Sequence, residues 1–172
     1  MSANHPDLSA ADLAAMEAQL GRRVRSVHAV GHRCPCGNPS VAVTEPQLED
    51  GTPFPTTFYV TCPRINSRIG TLEASGLMRE MTARLESDPE LAAAYQRAHD
   101  AYLAARAELG DEPPQIAGIS AGGMPTRVKC LHVLVGQALV QGHGVNPLGD
   151  EALKAVDGWW KSGPCVEIED AT

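Results

Sequence analysis

The hydrophobic pattern of this chain changes from strand-like to helical at Pro63, and that change limits the folds it can adopt. Before Pro63, β-branched and aromatic residues form three short runs, at Val24–Val30, Val41–Val43 and Phe58–Val60. Gly, Pro, Asn and Asp residues separate the runs, as in strands that pair consecutively. The sequence therefore predicts an α+β fold, in which a small antiparallel three-stranded sheet near the N-terminus packs against several helices.

Helical signals flank the predicted sheet. A capping-box pattern at Ser9 predicts a short first helix. Asp88 precedes a proline and caps a long helix, in which apolar residues recur at intervals of four and three across Leu91–Leu109. This stripe most simply indicates core packing or an antiparallel helix pair, with a dimer interface as the alternative. A later helix is predicted over Pro125–Gln141. We expect one domain over residues 8–160, with a disordered N-terminus at 1–7 and a C-terminal tail at 161–172.

The charge and hydropathy of the chain exclude several classes of function. The 172 residues carry a net charge of −7 and contain no run of five or more basic residues, so general nucleic-acid binding is not expected. The N-terminus lacks the basic start and apolar segment of an export signal, and no apolar stretch is long enough to span a bilayer. These features predict a cytoplasmic protein that does not enter a membrane.

Five cysteines, an odd number in a chain without an export signal, indicate metal ligands or reduced thiols more than a disulfide framework. Cys34 and Cys36 fall in the predicted turn between two strands, and Cys62 ends the third strand. Turns and element ends allow several sulfurs to point at one centre. The sequence thus predicts one metal site centred on Cys34, Cys62 and Cys130, with Cys36 and Cys165 as further candidate ligands. Simple burial of each thiol is the alternative.

The spacing of Cys130 and His132 invites a shared role, but the predicted helix argues against it. On a helix of about 100° per residue, the two side chains lie about 160° apart across the apolar arc. Only Cys130 is therefore predicted as a metal ligand, and His132 is placed outside the site.

A glycine-rich loop follows the long helix. Its GISAG segment matches the nucleophile elbow of hydrolases, yet the preceding EPPQ is a poor buried strand, so a serine nucleophile is not expected. The better interpretation is a cradle for an anion, with backbone N–H groups at a helix N-terminus and basic side chains just beyond it. The predicted anion-binding residues are Ser120, Gly122, Gly123, Arg127 and Lys129.

Several segments together resemble the bacterial family catalogued as domain of unknown function 501, especially its actinobacterial members. They are RCPCGNPSVAV, DGTPFPTTFYVTCPRI, LMREMTARLESDPELAAAY, GISAGGMPTRVKCLHVLV and GVNPLGDEAL. The family's pattern centres on the positions of Cys34, Cys62 and Cys130, and the resemblance implies three thiolates with a free fourth position. That arrangement suits a [4Fe–4S] cluster, with zinc as the alternative.

Two functions of different kinds fit these features. One is a small metal-dependent enzyme that holds an anionic substrate in the glycine loop. The other is a metal-stabilised module that binds a protein partner or a second copy of the chain, through the Leu91–Leu109 stripe and an exposed Trp159-Trp160 pair. A redox pair of Cys34 and Cys36 is disfavoured, because a disulfide between them would close a small, strained ring.

Overall fold

A computed structural model describes residues 8–168 of the chain. The predicted disorder of residues 1–7 and the last four residues of the predicted tail lie outside the described residues. The strands are β1 (Val27–Arg33), β2 (Pro39–Thr44) and β3 (Phe58–Val60). The α-helices are α1 (Ala10–Leu20), α2 (Pro63–Glu73), α3 (Leu77–Ser87), α4 (Pro89–Ala107), α5 (Leu131–Gln141) and α6 (Pro147–Ala155). Two short 3₁₀ turns cover Pro114–Ile116 and Trp159–Ser162.

The three strands form one antiparallel sheet in the order β1-β2-β3, which confirms the predicted α+β class. Ala42 of β2 lies opposite Val30 of β1 on one side and Tyr59 of β3 on the other. β1 begins three residues later than the apolar run suggests and carries irregular register. The turn after β1 therefore holds Cys34 and Cys36, as predicted.

The first helix has the caps that its sequence indicates. The Ser9 hydroxyl accepts from the Asp12 backbone N–H at 3.1 Å, and the Asp12 carboxylate accepts from the Ser9 N–H at 3.1 Å. Arg33, at the end of β1, reaches the same carboxylate at 2.8 Å. The Arg33 guanidinium holds the pKa of Asp12 at about 2. This ion pair ties α1 to the strand end that leads into Cys34.

The apolar stripe of α4 faces the core. Tyr95, Ala98 and Tyr102 are all 0% exposed, so this face packs inside the domain and is not available as a surface for a partner. The helix ends at Ala107, and the neighbouring Arg106 is fully buried. Its guanidinium donates to the carbonyls of Pro55, Ile116 and Ile119 and to the carboxylate of Glu112. These bonds satisfy the buried charge and fix the connection after α4.

The helix predicted over Pro125–Gln141 begins later, at Leu131. Residues 122–129 form a tight turn instead, closed by the Lys129 N–H to the Gly122 carbonyl at 2.7 Å. Gly122 and Gly123 have φ values of 69° and 92°, and a Cβ on Gly123 would lie 2.8 Å from the Arg127 carbonyl oxygen. Only glycine fits there, so the chain turns where a helix was predicted.

The prediction that the Trp159-Trp160 pair is exposed was wrong. Trp159 is 4% exposed, and its ring packs edge-to-face against Trp160, with centroids 4.7 Å apart. The left-handed Gly158 turns the chain back so that the indole of Trp159 enters the core. No helix within residues 8–168 is long and apolar enough to cross a bilayer.

The close approach of α5 to the sheet yields a test. A Cβ added to Gly136 would lie 2.7 Å from the Phe58 carbonyl oxygen, so we expect Gly136→Ala to lower the free energy of unfolding by about 1–3 kcal/mol. Gly70→Ala is the matched control, because Gly70 is an exposed helical glycine with nothing within 4 Å of its added Cβ. That variant should lose no stability, and gains up to about 1 kcal/mol are expected. Urea unfolding measures both. Equal stability of the two variants would contradict this packing.

Candidate metal sites

Four of the five cysteines lie side by side, and we call Cys34, Cys36, Cys62 and Cys165 the four-thiol group. The first two come from the β1–β2 turn, Cys62 is the N-cap of α2, and Cys165 follows the second 3₁₀ turn. The sulfurs of Cys36 and Cys165 are 3.8 Å apart. Cys34 interacts with Cys36, and Cys62 interacts with Cys165. Turns and element ends bring these sulfurs together, as the sequence predicts for Cys34, Cys36 and Cys62.

Two thiols of this group are inside the protein, and two are near its surface. Cys34 and Cys62 are 4% and 0% exposed, whereas Cys36 and Cys165 are half-buried. Burial raises the pKa of Cys34, and burial together with the neighbouring Cys165 raises the pKa of Cys62 to about 12. Buried thiols so close together are stable as neutral thiols or as ligands of a cation that pays for their ionisation.

N–H groups approach all four sulfurs. The amides of Gln19 and Asn38 point at the Cys165 sulfur from 3.3 and 3.7 Å, and the Cys36 backbone N–H lies 3.5 Å from the Cys34 sulfur. Backbone N–H groups at the start of α2 lie near the Cys62 sulfur. Such donors stabilise thiolates more than neutral thiols.

Cys36 shows the effect of these donors most clearly. Burial opposes ionisation of its thiol, but the backbone N–H groups of Cys165 and Asn38, aided by the neighbouring thiols, lower its pKa to about 7. The Trp159 indole N–H lies near the Cys34 sulfur and favours its thiolate, yet it has no well-aligned acceptor among the described residues. The four sulfurs are therefore surrounded by more N–H donors than neutral thiols would accept from.

The C-terminal segment closes the four-thiol group. Arg64 donates to the Pro164 carbonyl at 3.0 Å, and Asn38 donates to the Val166 carbonyl at 3.0 Å. These bonds hold Cys165 against the sheet and α2, inside the region predicted as a tail. An open cleft of about 380 Å³ beside Cys165 is lined in part by Arg64 and Arg68.

Cys130 lies with different residues. It is the N-cap of α5, and its sulfur, an oxygen of Glu73 and a ring nitrogen of His132 all lie within 4.8 Å of one another. Glu73 is at the far end of α2 from Cys62, and the 11 residues of that helix span about 16 Å. The structure thus separates Cys130 from the four-thiol group and forms a second candidate site, the Glu73 group.

His132 was excluded from a shared site with Cys130 on the premise that both residues lie on one helix, and that premise was wrong. The argument needs both residues on one helix, but Cys130 has extended backbone angles and α5 starts after it. His132 accordingly sits beside Cys130, whose hydrogen bond raises the pKa of the imidazole, with further help from Glu73. No signal in the sequence pointed to Glu73, because it is 58 residues from Leu131, whose N–H it accepts at 2.8 Å.

The residues predicted to bind an anion are not at a helix N-terminus. Ser120 is 1% exposed, and its hydroxyl lies 2.7 Å from the His99 ring nitrogen. Gly122 and Gly123 shape the turn before α5, and the side chains of Arg127 and Lys129 are exposed. The element directly before Ser120 is the 3₁₀ turn at Pro114–Ile116 and not a strand, in agreement with the rejection of a nucleophile elbow. Anion binding by this loop stays a prediction.

Comparison with known proteins identifies a family. A family model described as "Protein of unknown function (DUF501)" matches residues 30–154, which is more than half of the chain. The matched range contains the whole Glu73 group and three members of the four-thiol group, with Cys165 beyond its end. No curated protein and no solved structure matches the chain.

The four-thiol group predicts unequal thiol reactivity in metal-free protein. We expect alkylation of Cys36 by iodoacetamide to rise with pH around a midpoint of about 7, because the thiolate forms as pH rises through that pKa. Cys62 should stay unmodified over the same range, since its pKa is about 12. Peptide mass spectrometry across pH measures both sites, and Cys36→Ser should abolish the alkylation that rises around pH 7. A Cys36 midpoint near the ordinary thiol value of about 8.5 would contradict the donor arrangement.

Proposed function

Because the chain belongs to the DUF501 family, whose description assigns no activity, we propose a function from the geometry: it is an iron–sulfur protein whose cluster is held by the four-thiol group. The observation that carries this proposal is the approach of four sulfurs from separate segments, with Cys36 and Cys165 at 3.8 Å. With all four thiolates as ligands, a bound cluster would supply one-electron transfer.

The spread of the sulfurs favours a cluster over a single zinc ion. In a tetrahedral zinc site with Zn–S bonds of about 2.3 Å, every pair of sulfurs lies about 3.8 Å apart. Within residues 8–168, only the Glu73 group brings three donors of Cys, His, Asp or Glu within 4.8 Å of one another. No three of the four thiols are therefore that close. A cluster with more than one iron suits the wider group, because its thiolates are divided among the irons, and Cys36 and Cys165 at 3.8 Å are close enough to share one iron.

The surroundings fit a negatively charged centre. Every sulfur has N–H donors nearby, and the Trp159 indole N–H is a buried donor in need of an acceptor. Arg64 adds a positive charge beside the segment that carries Cys165. Hydrogen bonds to the sulfurs and partial exposure at Cys36 and Cys165 are the features by which a protein adjusts a cluster's reduction potential.

This proposal replaces the open coordination position that the resemblance implies. Cys130 is part of the Glu73 group, and Cys165 takes its place as the fourth thiol. A module that binds partners through the α4 stripe and the tryptophan pair is less well supported, because Tyr95, Tyr102 and Trp159 are buried.

Anaerobic purification from iron-replete cells tests the proposal. We expect brown protein with broad absorbance near about 400 nm, and iron and acid-labile sulfide in matched amounts. Cys34→Ser and Cys62→Ser should lose most of both, because each removes a buried ligand. Cys130→Ser is the matched control and should keep the cluster.

Two results would overturn it. Zinc at one equivalent per chain, lost in Cys62→Ser, with no iron or sulfide, would assign the group to a single ion instead. Protein with neither iron nor zinc at the four-thiol group, before and after anaerobic reconstitution with iron and sulfide, would remove the metal from it altogether.

A further inference from the structure

We propose that Glu73, Cys130 and His132 form a second metal site, for one zinc ion with an open coordination position that faces a small cavity. The three donor atoms lie within 4.8 Å of one another. They come from the last residue of α2 and the first residues around the start of α5, so two helix ends position them. This site goes beyond the cluster proposal and uses none of its ligands.

The donor set is the one that zinc prefers. Zinc binds thiolate, imidazole and carboxylate ligands, and three protein ligands with a fourth position for water or substrate are typical of catalytic zinc sites. The thiolate and the carboxylate would together balance the charge of a divalent ion, so the site with a neutral imidazole would carry no net charge. The mixture of sulfur, nitrogen and oxygen is ill suited to magnesium or calcium, which take oxygen ligands.

The pair of His132 and Glu73 is already close to zinc geometry. The His132 Nδ1 and the Glu73 Oε1 are 2.9 Å apart, where they share a proton. Two ligands at about 2.05 Å from a tetrahedral zinc lie about 3.3 Å apart, so replacing the proton by the ion needs only a small outward shift. The Leu131 N–H holds the same carboxylate at 2.8 Å, which limits the rotamers that Glu73 can adopt.

A cavity of about 240 Å³ opens beside two of the three donors. Cys130 and His132 line it together with apolar side chains, among them Phe58, Val60 and Val133. Within the described lining there is no Lys, Arg, Asp or Glu, so the cavity is suited to an uncharged ligand.

Asn66 supplies the polar group that would orient such a ligand. Its Nδ2 donates to the Val60 carbonyl at 3.1 Å, which leaves Oδ1 buried and without a partner among residues 8–168. A ligand N–H would satisfy this oxygen. A small amide has both required groups: a carbonyl oxygen for the zinc and an N–H for Asn66. We therefore assign the cavity to small uncharged amides or compounds of the same donor and acceptor pattern.

Metal titration of the full chain tests the site separately from the cluster. Apo protein, freed of metal under reducing conditions, should bind one equivalent of Co²⁺ at the Glu73 group, with the visible absorption of a tetrahedral sulfur-containing site, and Zn²⁺ should displace it. Cys165→Ser should keep this equivalent even though it disrupts the four-thiol group. His132→Ala should weaken it by more than about tenfold.

Glu73→Gln guards against a simple folding defect, because its amide oxygen can still accept from Leu131 while it binds zinc poorly. We expect normal circular dichroism and at least tenfold weaker Co²⁺ binding. His143→Ala is the control, since that ring is 93% exposed and outside the site. Acetamide, an uncharged ligand with a carbonyl and an N–H, should change the spectrum of the Co²⁺ protein.

Three outcomes would overturn the inference: no Co²⁺ equivalent in Cys165→Ser, unchanged binding in both Glu73→Gln and His132→Ala, or a spectrum that acetamide leaves unaltered. The first two remove the metal site, and the third removes its open position. None of them bears on iron or sulfide at the four-thiol group, so failure here and failure of the cluster proposal are distinguishable.

Discussion

Helix α5 packs so closely against β3 and α6 that both contacts require a glycine, and the position of the Glu73 group depends on this packing. A Cβ on Gly136 would press on the Phe58 carbonyl of β3, and one on Gly149 of α6 would overlap the Leu134 carbonyl. The helix is thus held between the sheet and α6. Because its axis cannot shift, its first turn has a fixed position, and that turn meets the end of α2.

Helix α2 connects the two sites and presents opposite ends to them. Cys62 at its N-cap is near the positive end of the helix dipole, which favours a thiolate. Glu73 at its last residue is near the negative end, which is unfavourable for a carboxylate. The Leu131 N–H at the start of α5 compensates, because it offers the carboxylate a positive helix end at 2.8 Å. The start of α5 thus offsets the unfavourable interaction of the Glu73 carboxylate with the dipole of α2.

The sequence predicted correctly those features that depend on residues close together in the chain. The capping box at Ser9, the three strands and the placement of Cys34 and Cys62 at a turn and a strand end all follow from neighbouring residues, and they are present. The start of α5 does not follow from them. The Tyr95 hydroxyl holds the Arg127 carbonyl at 3.0 Å, and Glu73 caps Leu131 from 58 residues away. With these long-range bonds in place, α5 begins after Cys130. Cys130 therefore lies beside His132 and not with the other cysteines.

The four-thiol group joins the C-terminal segment to three other parts of the chain. Gln19 of α1, Asn38 of the β1–β2 turn and Arg64 of α2 each bond to the segment around Cys165. These bonds go to backbone carbonyls or to sulfur, and the one to sulfur is weak while the thiol is neutral. Ionised and metal-bound sulfurs would accept them more strongly, so the free energy of binding a metal centre there would also hold the C-terminal segment in place. A centre at this group would therefore stabilise the fold as well as supply chemistry, whereas the Glu73 group rests on helices that the core already fixes.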